Sequence, residues 1–163
     1  KFFIDCECFL TNSNNFQYVA LINGIGQLVL FLFVVCIPIW RTGRMSYVDI
    51  GWPLGVALIG IITMILSKNV SPKIILMSSA YMIIGFRMGI GILNMWRLGL
   101  LRKEFSRYQY QKIRWKKSKK KNTQLAQQVD AISQGFANAT FLSLPALMIW
   151  ADSNVLNLSL IHI

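Results

Sequence analysis

Charge is what this sequence has least of. Asp, Glu, Lys and Arg make up only 14% of its 163 residues, where a soluble domain carries roughly 25%. With hydrophobic residues at 55% and a mean hydropathy of +0.50, a water-soluble domain could not cover its surface with polar groups. Acids are scarcer still: 6 Asp and Glu stand against 17 Lys and Arg, a net charge of +11. Histidine occurs once, at His162. Set aside for the reason given below, it leaves no His–Cys–carboxylate set for a metal and no Ser–His–Asp triad. The 3 cysteines do little better, since Cys6 and Cys8 form a C-x-C pair and Cys36 lies in an apolar run, all read as unpaired thiols. Disorder is excluded too, because the apolar stretches have ample side chain to bury.

Long apolar runs are what the chain does have. Four stand out, at about Tyr18–Trp40, Tyr47–Leu66, Ile74–Trp96 and Ile132–Trp150. Each approaches the ~20 residues that cross a ~30 Å hydrocarbon layer as helix. The expected fold is therefore all-α, a polytopic transmembrane helical bundle of about four spans. The fourth run holds Asn138, Thr140 and Ser143, and a buried or re-entrant segment is its alternative reading.

The cations fall between the runs. Arg41 and Arg44 follow the first, Lys68 and Lys73 divide the second from the third, and eleven fill the connection after the third, all within 97–121. The positive-inside rule then places the first and third connections in the cytoplasm and the amino end outside. Trp40, Trp52, Trp96 and Trp150 sit near predicted span ends, as an aromatic belt requires. The basic connection interleaves its cations with Phe105, Tyr108, Tyr110 and Trp115. Next to a membrane span that mixture reads as an interfacial segment on anionic lipid head groups, not as a nucleic-acid site. Residues 116–121 read as a solvated tether.

Small residues mark two helix faces. Gly51–Gly55 and Gly85–Gly89 are both G-x-x-x-G, which lets backbones approach in lipid. The GIG words at Gly24–Gly26 and Gly89–Gly91 lack the strand–turn–helix setting of a dinucleotide fingerprint. At about 100° per residue Arg87 lies opposite its glycine pair and Asp49 lies well off its own, so the two should turn away from each other. Arg87 is a cation within a span, about six residues or ~9 Å from the cytoplasmic end at 1.5 Å per residue. It either snorkels to the surface or anchors an anionic ligand group such as phosphate.

Neither end reads as native. The chain opens KFFID with no Met, and closes LSLIHI. Those six residues read back into CTG TCT CTT ATA CAC ATC, the transposase end of common sequencing-library adapters. The expectation is that 158–163 is translated adapter, His162 included, and that the gene breaks near Asn157. A plain apolar tail is the alternative.

Three words carry a family resemblance: SYVDIGWPLG (Ser46–Gly55), GFRMG (Gly85–Gly89) and EFSRYQ (Glu104–Gln109). With Gln134 ahead of SLP (Ser143–Pro145), they resemble the membrane family called domain of unknown function 1295, a relative of the steroid 5-alpha-reductases. The likeness covers 46–145, within a partial reductase-like domain at 1–157. It implies an NADPH-dependent reductase whose cofactor enters from the cytoplasm, with Arg87, Arg107 and Tyr108 in contact and Asp49 and Glu104 orienting them. Its hydrophobic small-molecule substrate, a lipid or steroid-like enone with a C=C bond conjugated to a carbonyl, would stay in the bilayer. Two departures stand out. Phe105 replaces an expected Asp, and the family's R-x-P-N-Y-x-G-E word is missing, which implies a catalytically incomplete fragment. The same superfamily includes isoprenylcysteine carboxyl methyltransferases, which use S-adenosylmethionine, and a non-catalytic membrane scaffold is the reading outside enzymes.

Overall fold

In lipid a backbone must satisfy its own polar groups, and a helix does so within one segment. Every element among the described residues is helical. The computed structural model describes residues 2–67, 71–99, 104–117 and 123–155, with side chains at 16–67, 71–99, 104–115 and 123–151. The side chains of Cys6, Cys8 and residues 116–121, and the tail at 158–163, lie outside the described residues. In order come α1 (Phe2–Phe31), a wide π turn (Leu32–Cys36), α2 (Ile37–Thr42), a 3-10 turn (Met45–Tyr47), α3 (Val48–Ile65) and α4 (Pro72–Arg97). Then follow α5 (Ser106–Lys117), α6 (Thr123–Ala137), a second π turn (Asn138–Leu142) and α7 (Leu144–Val155).

Among the described residues, four segments are long and apolar enough to cross a membrane: Phe16–Thr42, Met45–Ile65, Pro72–Arg97 and Thr123–Ala151. The chain is thus an all-α, multi-pass membrane protein. The fourth segment starts nine residues before the expected Ile132. Its early turns are polar, yet they stay helical because Gln127 and Gln128 donate to the Gly43 and Cys36 carbonyls at 3.2 and 3.1 Å. It also continues into α7 with only a widened turn. Each π turn lies just before a proline, Pro38 or Pro145. A proline offers its preceding turn no N–H, and the helix widens there instead of breaking.

Caps end the helices where the sequence allows. Ser71 accepts from Ile74 N at 3.4 Å with Pro72 at the first helical position, a start that suits both residues. Gly43 closes α2 at φ 67°, its N–H donating to Ile39 O at 2.7 Å. A residue with a Cβ would be strained in that left-handed conformation.

Helix α3 is the axis of the bundle. Gly51 and Gly55 take side chains of α1 and of both π turns: Val35 and Phe31 at Gly51, Gln27 and Asn138 at Gly55. Helix α4 meets α3 elsewhere. At Gly85 an added Cβ would lie 2.5 Å from Ala57 N and 2.7 Å from Pro53 O. Both glycine pairs therefore lie on packed faces, as expected, but they do not face each other. Polar groups stitch the interior: Gln27 donates to Gly55 O at 2.8 Å, Asn23 to Ala139 O at 3.4 Å and Asn138 to Trp52 O at 3.4 Å. An amide that bonds a backbone carbonyl in a dry interior fixes which helices are neighbours.

Candidate functional site

The basic connection and the first turn of α3 build one polar cluster. Asp49 stands in the first turn of α3, while Arg107 and Tyr108 stand in the first turn of α5. Arg107 pairs with Asp49 Oδ1, and the Tyr108 hydroxyl donates to the same oxygen at 3.0 Å. Arg107 also donates to the Tyr108 hydroxyl at 3.1 Å and lies over its ring at 4.7 Å. The three side chains share one centre.

Their exposures divide the labour. Tyr108 is buried, at 5%, so it acts through Asp49 and Arg107. The Arg107 side chain is 62% exposed and Asp49 17%, so the guanidinium keeps donors free for a guest. The second Asp49 oxygen, Oδ2, is buried with no hydrogen-bond partner among the described residues. Burial pushes the Tyr108 phenol above its usual range; Arg107 opposes the shift, and Asp130 and Glu104 add to it. The phenol therefore stays protonated at neutral pH and remains a donor.

Beside this centre opens a cleft of about 560 Å³ with Asp49 and Arg107 at its polar edge. Trp52 and Pro53 of α3, Met88, Ile92 and Met95 of α4, and Phe105 form its apolar walls. Trp52 is held by donating from Nε1 to Gln134 Oε1 at 2.8 Å, and Gln134 is held in turn by Asp130 at 3.0 Å. Phe105, the departure from the family word, lines this cleft. Where an Asp would have brought a charge, the wall is apolar.

Glu104 is engaged differently. Its Oε1 accepts from Met45 N at 2.7 Å and its Oε2 pairs with Lys112. Lys112 also donates to Gly43 O at 2.7 Å. This set ties the third connection to the first and stands apart from the cleft lining. Arg87 is not brought to the cluster at all. It is exposed on α4, about 100° around the helix from the cleft residue Met88, and makes no hydrogen bond or ion pair among the described residues.

Sequence reasoning missed several residues. Lys112 was one basic residue among many, and nothing in its spacing paired it with Glu104. Asn23 and Gln27 did leave a signal, since amides within an apolar span usually face other helices. Among the described residues no cluster of His, Cys, Asp and Glu could hold a metal ion. Among the described residues that line the cleft, Arg107 is the one cation that could meet a phosphate-bearing cofactor, with Asp49 beside it for a hydroxyl or amide donor. No protein-family model, curated protein or solved structure matches the chain.

Proposed function

We propose that this protein is a membrane-embedded reductase of the steroid 5-alpha-reductase kind, taking a hydrophobic enone from the bilayer and NADPH from the cytoplasm. One observation carries the reading. Asp49 and Arg107, 58 positions apart in two of the family-like words, form an ion pair at the mouth of an apolar cleft. An apolar pocket with a few convergent polar groups is what a hydrophobic substrate needs.

Arg107 would hold the phosphate-bearing end of NADPH, which supplies hydride when bound. Asp49 holds Arg107 in place and presents Oδ2 to a donor on the guest. Tyr108 fixes the Asp49 carboxylate from behind, and Glu104, through Met45 N, ties the start of α5 to the turn that precedes α3. Trp52, Phe105 and the α4 methionines exclude water from the apolar body of the substrate. The basic face of α5 would rest on anionic head groups.

Titration of the purified full-length protein tests the reading. Arg107→Met should weaken NADPH binding by roughly tenfold to a hundredfold, the loss of one charge-assisted contact at about 1.5–3 kcal/mol. Met88→Trp, which fills the cleft, should weaken a steroid-like enone and leave NADPH alone. Unchanged NADPH affinity in Arg107→Met overturns the assignment. Binding of S-adenosylmethionine in place of NADPH would turn the reading to a methyltransferase.

A further inference from the structure

The outward face of α4 carries a charge that no described residue answers. Arg87 stands close to the middle of this 26-residue helix, ten residues before its last residue, Arg97. At 1.5 Å per residue that is about 15 Å from the helix end. Snorkelling serves residues near helix ends. Arg87 is not one of them. A guanidinium at such depth is costly if nothing answers it.

The residues around it form one stripe. From Gly85, which faces α3, the steps to Arg87, Gly91 and Asn94 bring all three to the far side of α4. Gly91 is exposed, and a Cβ there would meet nothing within 4 Å. Asn94 is exposed too, and its side chain makes no hydrogen bond among the described residues. Exposed Ile84 and Leu98, at 52% and 75%, continue the stripe at alternating steps of three and four. Lipid tails would gain nothing from a bare glycine, an amide and a cation in line. A neighbouring helix would: the glycine lets it approach, the amide bonds it and the cation selects it.

The sign of the charge selects the partner. The carboxylates whose side chains are described, Asp49, Glu104 and Asp130, are engaged at the basic end of the bundle. A second copy packed symmetrically on this face would set one Arg87 against the other. We propose that the outward stripe of α4 is a docking face for another transmembrane helix that carries a carboxylate at the depth of Arg87. This inference does not use the cleft, whose α4 residues Met88, Ile92 and Met95 lie on the adjoining side of the same helix.

The test uses a synthetic Leu–Ala helix of about 20 residues, enough to span the bilayer, with a single Glu at its middle, and a matched Gln helix. Energy transfer to the labelled full-length protein in phosphatidylcholine vesicles reads association. The Glu helix should bind at least tenfold more tightly than the Gln helix, and Arg87→Met should erase that preference. Gly91→Leu should weaken both helices while leaving the protein's own unfolding unchanged, which separates docking from folding. Equal binding of the Glu and Gln helices, or a Glu preference that survives Arg87→Met, overturns the proposal. A pairing of Arg87 with lipid phosphate predicts that equal binding.

Discussion

Helices α3 and α4 carry the same G-x-x-x-G spacing and live in different surroundings. In the apolar window of α3, 50% of residues are buried; in that of α4, 22% are. On α3 the glycines admit side chains from two other segments, whereas on α4 only Gly85 is pressed against backbone. Gly89 meets Leu54 at an ordinary 3.7 Å, and Gly91 meets nothing. A small-residue motif states that a backbone can approach. It does not state which neighbour comes, or whether one is already in place.

Single glycine substitutions sharpen that contrast. Gly85→Ala should be the most damaging, because its Cβ would sit 2.5 Å from Ala57 N and 2.7 Å from Pro53 O. Two backbones must part, at about 3 kcal/mol, read by unfolding in mixed micelles. Gly55→Ala should come next, at about 1–2 kcal/mol. Its Cβ displaces the buried amides of Gln27 and Asn138, which can turn at the expense of their hydrogen bonds. Gly89→Ala should stay within about 0.5 kcal/mol of the parent, as substitutions without a clash do. If Gly85→Ala and Gly89→Ala unfold alike, the α3–α4 contact is looser than the structure shows.

The smallest effect is a matter of pH. The buried Tyr108 phenol is raised above its usual value of 10.0, chiefly by burial. An acid whose folded pKa is raised keeps its proton longer when folded, so the unfolded chain ionises first. Stability should be unaffected by this group below about pH 10 and decline above it. Tyr108→Phe should flatten that decline in unfolding curves taken at stepped alkaline pH. A decline of equal slope in the Phe variant would assign it to other groups.

Much of the bundle was legible because apolar length and cation placement are one-dimensional signals. The spans could be read by counting, and the opposition of Arg87 to Gly85 followed from helix geometry alone. The fourth helix was read short because Gln127 and Gln128 look like loop until the carbonyls that accept from them are seen. The meeting of Asp49 with Arg107 was not readable from spacing, since 58 residues and two turns of chain direction separate them. The resemblance named both residues, but only tertiary packing sets them at one cleft. Phe105 looked like a lost carboxylate and is part of the cleft wall.

The left-handed turn at Gly43 has a consequence for biosynthesis. Its carbonyl is held by Lys112 and Gln127, which follow it by 69 and 84 positions. As the chain leaves the ribosome, the first two spans can enter the bilayer long before those donors exist. This connection thus waits open until α5 and α6 arrive, and it is fastened well after it is made.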